Sequence, residues 1–193
     1  MAKAKPLTEL NPNAPTGQNA RCIAQIRLDE MYNWAADVDN PYEVQGLHNL
    51  RIAAKRLRYT FEIFEDVLPF TCQAIANELT QIQDELGALH DSDVVIALLR
   101  LCMGGEDAGI AYELALVKAG NQKGVGKLLL KPSLVAKVLD PDVAPTAEQR
   151  YGLEQLLRRQ LQLREEHYQA FRQHWYQLLA RDFRREILDV LSE

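Results

Sequence analysis

The chain has 193 residues, 47% of them hydrophobic and 25% charged, and 27 acidic against 22 basic side chains leave a formal charge of -5. That composition suits one domain, or one and a half, with a buried core; it excludes global disorder and a nucleic-acid binder held by overall positive charge. No run approaches the roughly eighteen apolar positions of a membrane-spanning helix, so a soluble protein with any anion site confined to a local patch is expected.

The cysteines Cys22, Cys72 and Cys102 are odd in number, widely spaced and set in helix-like sequence, which reads as buried thiols in a reducing compartment. Without a Cys-x-x-Cys pair no zinc site is expected. The amino-terminal stretch lacks the apolar centre of a secretory signal, leaving a cytoplasmic location by default.

Residues 1–16 hold three prolines and no apolar periodicity and read as a flexible leader. From Thr16, the spacing of Cys22, Ile23, Ile26, Met31 and Trp34 predicts a helix ending before Asn40. Asn40-Pro41-Tyr42-Glu43 combines a capping side chain, a proline and a carboxylate, the signature of a helix start. That helix is expected to run to Leu68, about 28 residues or ~42 Å. Another begins at Pro69, carries Ile75, Leu79, Ile82 and Leu86, and stops at Gly87; Asp91 or Ser92 caps a further helix to Cys102. Gly104-Gly105 marks a loop, 107–119 a helix, and 120–146 irregular chain with a short helix at 133–139. Thr146-Ala-Glu-Gln149 is a capping box opening one very long helix, or two with a bend, along Leu153, Leu157, Leu161, Tyr168, Phe171, Trp175, Leu178 and Ile187. The fold class is therefore all-α, an antiparallel bundle of about six helices with a long C-terminal one.

On the helix after Asn40, Leu47, Leu50, Ala53, Ala54, Leu57, Phe61 and Phe64 fall in one core-facing sector. His48, Arg51, Lys55 and Arg58 form a ladder on the opposite side over ~15 Å, with Tyr59 and Glu62 beside them and Arg56 off to its flank. Like charges at this spacing repel by a few tenths of a kcal/mol per pair. The ladder is either a solvated face neutralised by neighbouring helices or a strip for an extended polyanion, where forked guanidinium contacts and counterion release add affinity along the polymer.

The segment Leu47-His48-x-x-Arg51-x-x-x-Lys55-Arg56-Leu57-Arg58-Tyr59, followed by Leu79-x-x-Ile82-Gln83-Asp84-x-Leu86-Gly87-x-x-x-Asp91-x-Asp93-Val94, resembles the CHAD family, the conserved histidine α-helical domain. The resemblance covers the motif region 43–100 and extends the expected helical domain over 17–193. It implies a bundle that binds inorganic polyphosphate through His48, Arg51, Lys55, Arg56 and Arg58, without catalysis, metal or cofactor, and an association with polyphosphate granules. Asp91 and Asp93 read as capping and charge-pairing groups that hold the basic helix in register. The family carries two such helices where this chain has one, so a homodimer, or Arg158, Arg159, Arg164, Arg172, Arg181, Arg184 and Arg185, would supply the second wall. His90 stands where the family often has arginine.

Other readings carry less. A histidine phosphotransfer domain would use His48 as phosphoryl carrier, with Arg51 beside it, but the continuing basic ladder suits it poorly. His90-Asp91 lacks the further histidines of a metal-dependent phosphohydrolase, and His167 and His174 lie ~10 Å apart along a helix, too far for one metal. Residues 120–127 miss P-loop spacing, with Leu128 where Ser or Thr would bind magnesium. The Glu-x-Glu-x-Lys motif of fused triphosphate-processing domains is absent, and no aromatic platform marks a nucleic-acid surface. A structural interaction module remains the plainer alternative.

Overall fold

The computed structural model describes residues 3–8, 10–103 and 145–192, and among these every regular element is helical. They are α1 (Thr16–Tyr32), a short 3-10 helix (Ala35–Asp39), α2 (Val44–Ile63), α3 (Cys72–Cys102), α4 (Ala147–Ala180) and α5 (Phe183–Ser192). The chain divides into two compact units, residues 1–90 with 166–193, and residues 91–165. The helix expected at 107–119, the short one at 133–139 and the glycine-rich stretch 120–127 lie outside the described residues.

In the first unit, α1 begins at Thr16 as its sequence predicts. Its buried line, however, is Ala20, Ala24, Leu28 and Met31, each fully enclosed, while Cys22, Ile23, Ile26 and Trp34 are only half-buried. Alanines carry little hydrophobic signal, yet they let backbones approach closely, and α2 answers with the equally enclosed Ala53 and Ala54. Ahead of α1, Asn11 and Asn19 exchange hydrogen bonds, the Asn11 amide donating to Asn19 Oδ1 at 3.1 Å and Asn19 Nδ2 to the Asn11 carbonyl at 2.8 Å. Arg27 also donates to the Lys5 carbonyl at 3.1 Å.

The helix expected from Asn40 starts instead at Val44 and ends at Ile63. Asn40 does cap an amide, that of Tyr42 at 3.1 Å, but the Glu43 amide donates to the Asn40 carbonyl at 3.1 Å and closes a β-turn with Pro41 in its second position. Cap-and-proline chemistry serves a turn as readily as a helix start. Leu47, Leu50, Ala53, Ala54, Leu57 and Phe61 are all buried, as their sector predicts. The next correction is at Gly87, which does not stop a helix: α3 runs unbroken through it for 31 residues, and neither Asp91 nor Ser92 opens a new one. A Cβ at Gly87 would sit 3.5 Å from Arg51 Nε, an ordinary contact, so α2 lies close to α3 here and the glycine marks no turn.

The capping box at α4 forms as read. The Thr146 amide donates to Gln149 Oε1 at 2.9 Å and the Gln149 amide to Thr146 Oγ1 at 3.3 Å. The long C-terminal helix takes the bent alternative, breaking at Asp182, whose φ of 55° is left-handed, a conformation Asp tolerates better than most residues. The bend turns α5 so that Phe183, Ile187 and Leu191 are buried, and α5 packs on α1. Tyr168, Phe171, Trp175 and Leu178 of α4 join the same core, whereas Leu161 is exposed. Polar contacts register these apolar ones: Tyr168 donates its hydroxyl proton to the Val38 carbonyl at 2.8 Å. The ring nitrogens of His174 lie 2.8 Å from Glu85 Oε2 and 3.2 Å from Glu78 Oε2.

All three cysteines are free thiols; Cys72 is buried, and Cys22 and Cys102 are half-buried rather than enclosed. Among the described residues no helix is long and apolar enough to cross a membrane.

Candidate functional site

The basic ladder lies on α2 beside α3, the two helices running antiparallel: His48 meets His90, and one turn further along α2, Arg51 meets Gly87. Leu47, Leu50, Ala54 and Leu57 anchor the other side of α2 in the core; of the ladder, Lys55 is exposed, and His48, Arg51 and Arg58 are half-buried.

Each rung has a distinct environment. The His48 ring stands 4.6 Å from that of His90, centroid to centroid, with the planes tilted by 39°. Its Nδ1 is buried without a hydrogen-bond partner. Burial, followed by the nearby His90 and Arg51, pulls the His48 imidazole down to about 4, so it is neutral at physiological pH. Arg51 is half-buried, with Nε enclosed and without a partner. Lys55 is exposed, and its Nζ lies 5.3 Å from the centre of the Tyr59 ring. Arg58 lies over the same ring at 4.8 Å and pairs with Glu62 at 2.6 Å. Tyr59 thus holds two cations close together on one turn of helix through its π-face.

Arg56 stands apart. Its Nη1 pairs with Glu30 of α1, which Arg27 also holds at 2.7 Å. Glu30 is only 4% exposed, so Arg56 helps fasten α2 to α1. Among the described residues, by contrast, neither Arg51 nor Lys55 has a carboxylate partner.

The C-terminal arginines are placed differently. Arg172 pairs with Asp39 at 3.0 Å, Arg184 with Asp29 at 2.7 Å, Arg181 with Glu78 at 3.1 Å, and Arg185 with Asp189 at 3.8 Å. These four are arginines of ion pairs, whereas Arg158 and Arg159 are exposed. In the other unit Arg164 Nε donates to Asp93. Asp93 therefore pairs with α4, correcting the expectation that it braces the basic helix, and Asp91 is exposed.

Sequence reasoning missed the pairing of His90 with His48. His90 follows Gly87 by one helical turn, a spacing that shows only once α3 is known to pass through Gly87 without stopping. No cluster of three or more metal-ligating side chains occurs among the described residues.

The sequence model of the CHAD domain matches residues 3–100, just over half the chain and the whole of the segment that carries this site. The chain belongs to the CHAD family. No curated protein and no solved structure gives a match.

Proposed function

We propose that this chain is a non-catalytic binding module for inorganic polyphosphate, with His48, Arg51, Lys55 and Arg58 as the contact strip. One observation carries the reading: Arg51 and Lys55, adjacent rungs of the ladder, lack carboxylate partners among the described residues, whereas Arg56 and Arg58 on the same helix are paired with Glu30 and Glu62. Uncompensated like charges one turn apart are unfavourable in the free protein, and a polyanion relieves that repulsion. Family membership supports the same ligand class. Arginine supplies forked contacts to phosphate oxygens, lysine a point charge, and neutral His48 one N–H donor. Arg56 is assigned the different task of keeping α2 seated on Glu30.

The test is a competition titration with long-chain polyphosphate, orthophosphate and single-stranded DNA at two salt concentrations, using wild type and R51A/K55A. Preference for long polyphosphate is expected, weakening with salt. The double substitution should lower affinity at least tenfold and flatten the salt slope by about two phosphate contacts, with the melting curve unchanged. Equal binding of orthophosphate or DNA, or full affinity in R51A/K55A, overturns the proposal.

A further inference from the structure

The two imidazoles of His48 and His90 come from different helices, yet their rings meet at 4.6 Å at the end of the ladder, one helical turn from Arg51. Burial foremost, then the His90 imidazole of α3 and Arg51 of α2, disfavour charge on His48. A buried, unpartnered Nδ1 completes the picture on His48. In the free protein these features oppose a proton on His48. A phosphate oxygen held by Arg51 would set negative charge against the same rings and favour a proton there.

We propose that His90 is an additional contact of the site and that the His48–His90 pair takes up one proton from solvent when a polyphosphate segment docks on Arg51. The pair accepts one proton rather than two, because two imidazoliums at this separation repel each other. The protonated ring then adds a charge-assisted N–H contact to the phosphate, and its neutral neighbour offers a ring face to the new cation. The low proton affinity of His48, about 4 when free, is what makes the uptake ligand-dependent. By linkage, a ligand that binds together with a proton binds more tightly as pH falls, by up to about tenfold per pH unit for one proton.

This inference rests on the polyphosphate reading and is separable from it. Long-chain polyphosphate is the probe, since its interior phosphates keep their charge across the relevant range. Binding is measured by calorimetry from pH 5 to pH 8, in pairs of buffers with different ionisation enthalpies, for wild type, H48Q, H90Q and H90R, with circular dichroism on each. Expected in wild type are a net uptake of up to one proton per site and affinity that rises as pH falls. H48Q and H90Q should lose most of the uptake and of the pH slope. H90R places a permanent cation beside His48, so it should bind as well at pH 8 as at pH 6, and this arm holds even where a glutamine variant folds poorly. Polyphosphate binding without proton uptake, or a slope unchanged in the three variants, overturns the proton-linked pair while leaving the module reading intact. Absence of polyphosphate binding at every pH removes both.

Discussion

Replacing Glu30 by Gln tests whether α2, and with it the ladder, is held in place by one buried carboxylate. Glu30 accepts from Arg27 within α1 and from Arg56 across to α2, and its own side chain is 5% exposed against 11% and 25% for the two arginines. Two charge-assisted bonds contribute about 1.5–3 kcal/mol each. Removing the anion from such a group costs about 3–5 kcal/mol when burial is complete. The partial exposure of Arg56 lets water recover part of that loss, and the amide oxygen of glutamine still accepts one bond, so E30Q should cost about 2–4 kcal/mol. For a chain of this size that is a fall of roughly 5–12 °C in Tm. Both tryptophans, Trp34 and Trp175, lie in the unit that contains the ion cluster, so fluorescence-detected urea unfolding reads the relevant transition directly. A cycle of E30Q, R56Q and the double variant should show coupling of about 1–2 kcal/mol. An E30Q loss under ~0.5 kcal/mol, or strictly additive substitutions, would refute a buried anchor between α1 and α2.

Three further outcomes follow from local geometry. A Cβ on Gly46 would lie 2.6 Å from Asp37 Cγ and 2.7 Å from Asp37 Cβ, so G46A should lose about 1–2 kcal/mol despite the better helix propensity of alanine; a loss that does not shrink in a D37G background would exclude this clash. At Gly87 the nearest atom is Arg51 Nε at 3.5 Å, an ordinary contact, so G87A should gain up to ~1 kcal/mol in melting experiments and keep polyphosphate binding, whereas G87L should cover Arg51 and weaken binding more than stability; the reverse ranking would contradict the placement. Burial pushes the Tyr32 phenol up to about 12, with Arg184 partly offsetting it. A raised folded value favours the protonated native state, so this stability is fully present below pH 10 and is lost as pH rises from 10 toward 12. Ultraviolet titration should show a late phenolate that is lost in Y32F, and Y32F should flatten the fall in stability over that window.

The helical class, the start of α1 at Thr16, the capping box at Thr146 and the split between core and ladder on α2 were legible because each depends on residues within a few positions of one another. A 3.6-residue period needs no knowledge of what the helix packs against. Paired motifs at matching spacing likewise made the CHAD family readable before any coordinate. What could not be read locally is where two segments meet. Asn40 and Pro41 satisfy a β-turn as well as a helix cap, and the Asn40–Glu43 hydrogen bond decides between them. Gly87 looks like a stop until Arg51 is seen against it. The alanines of α1 look inert until α2 brings Ala53 and Ala54 to the same close-packed core. The role of a charge is the furthest from sequence: Arg51, Arg56 and Arg172 are the same residue type on helical surfaces, yet Glu30 claims Arg56, Asp39 claims Arg172, and neither Arg51 nor neighbouring Lys55 has a carboxylate among the described residues. Periodicity sets which way a side chain points from its own helix, but its electrostatic partner comes from another part of the chain, and only tertiary packing brings that partner within hydrogen-bond reach.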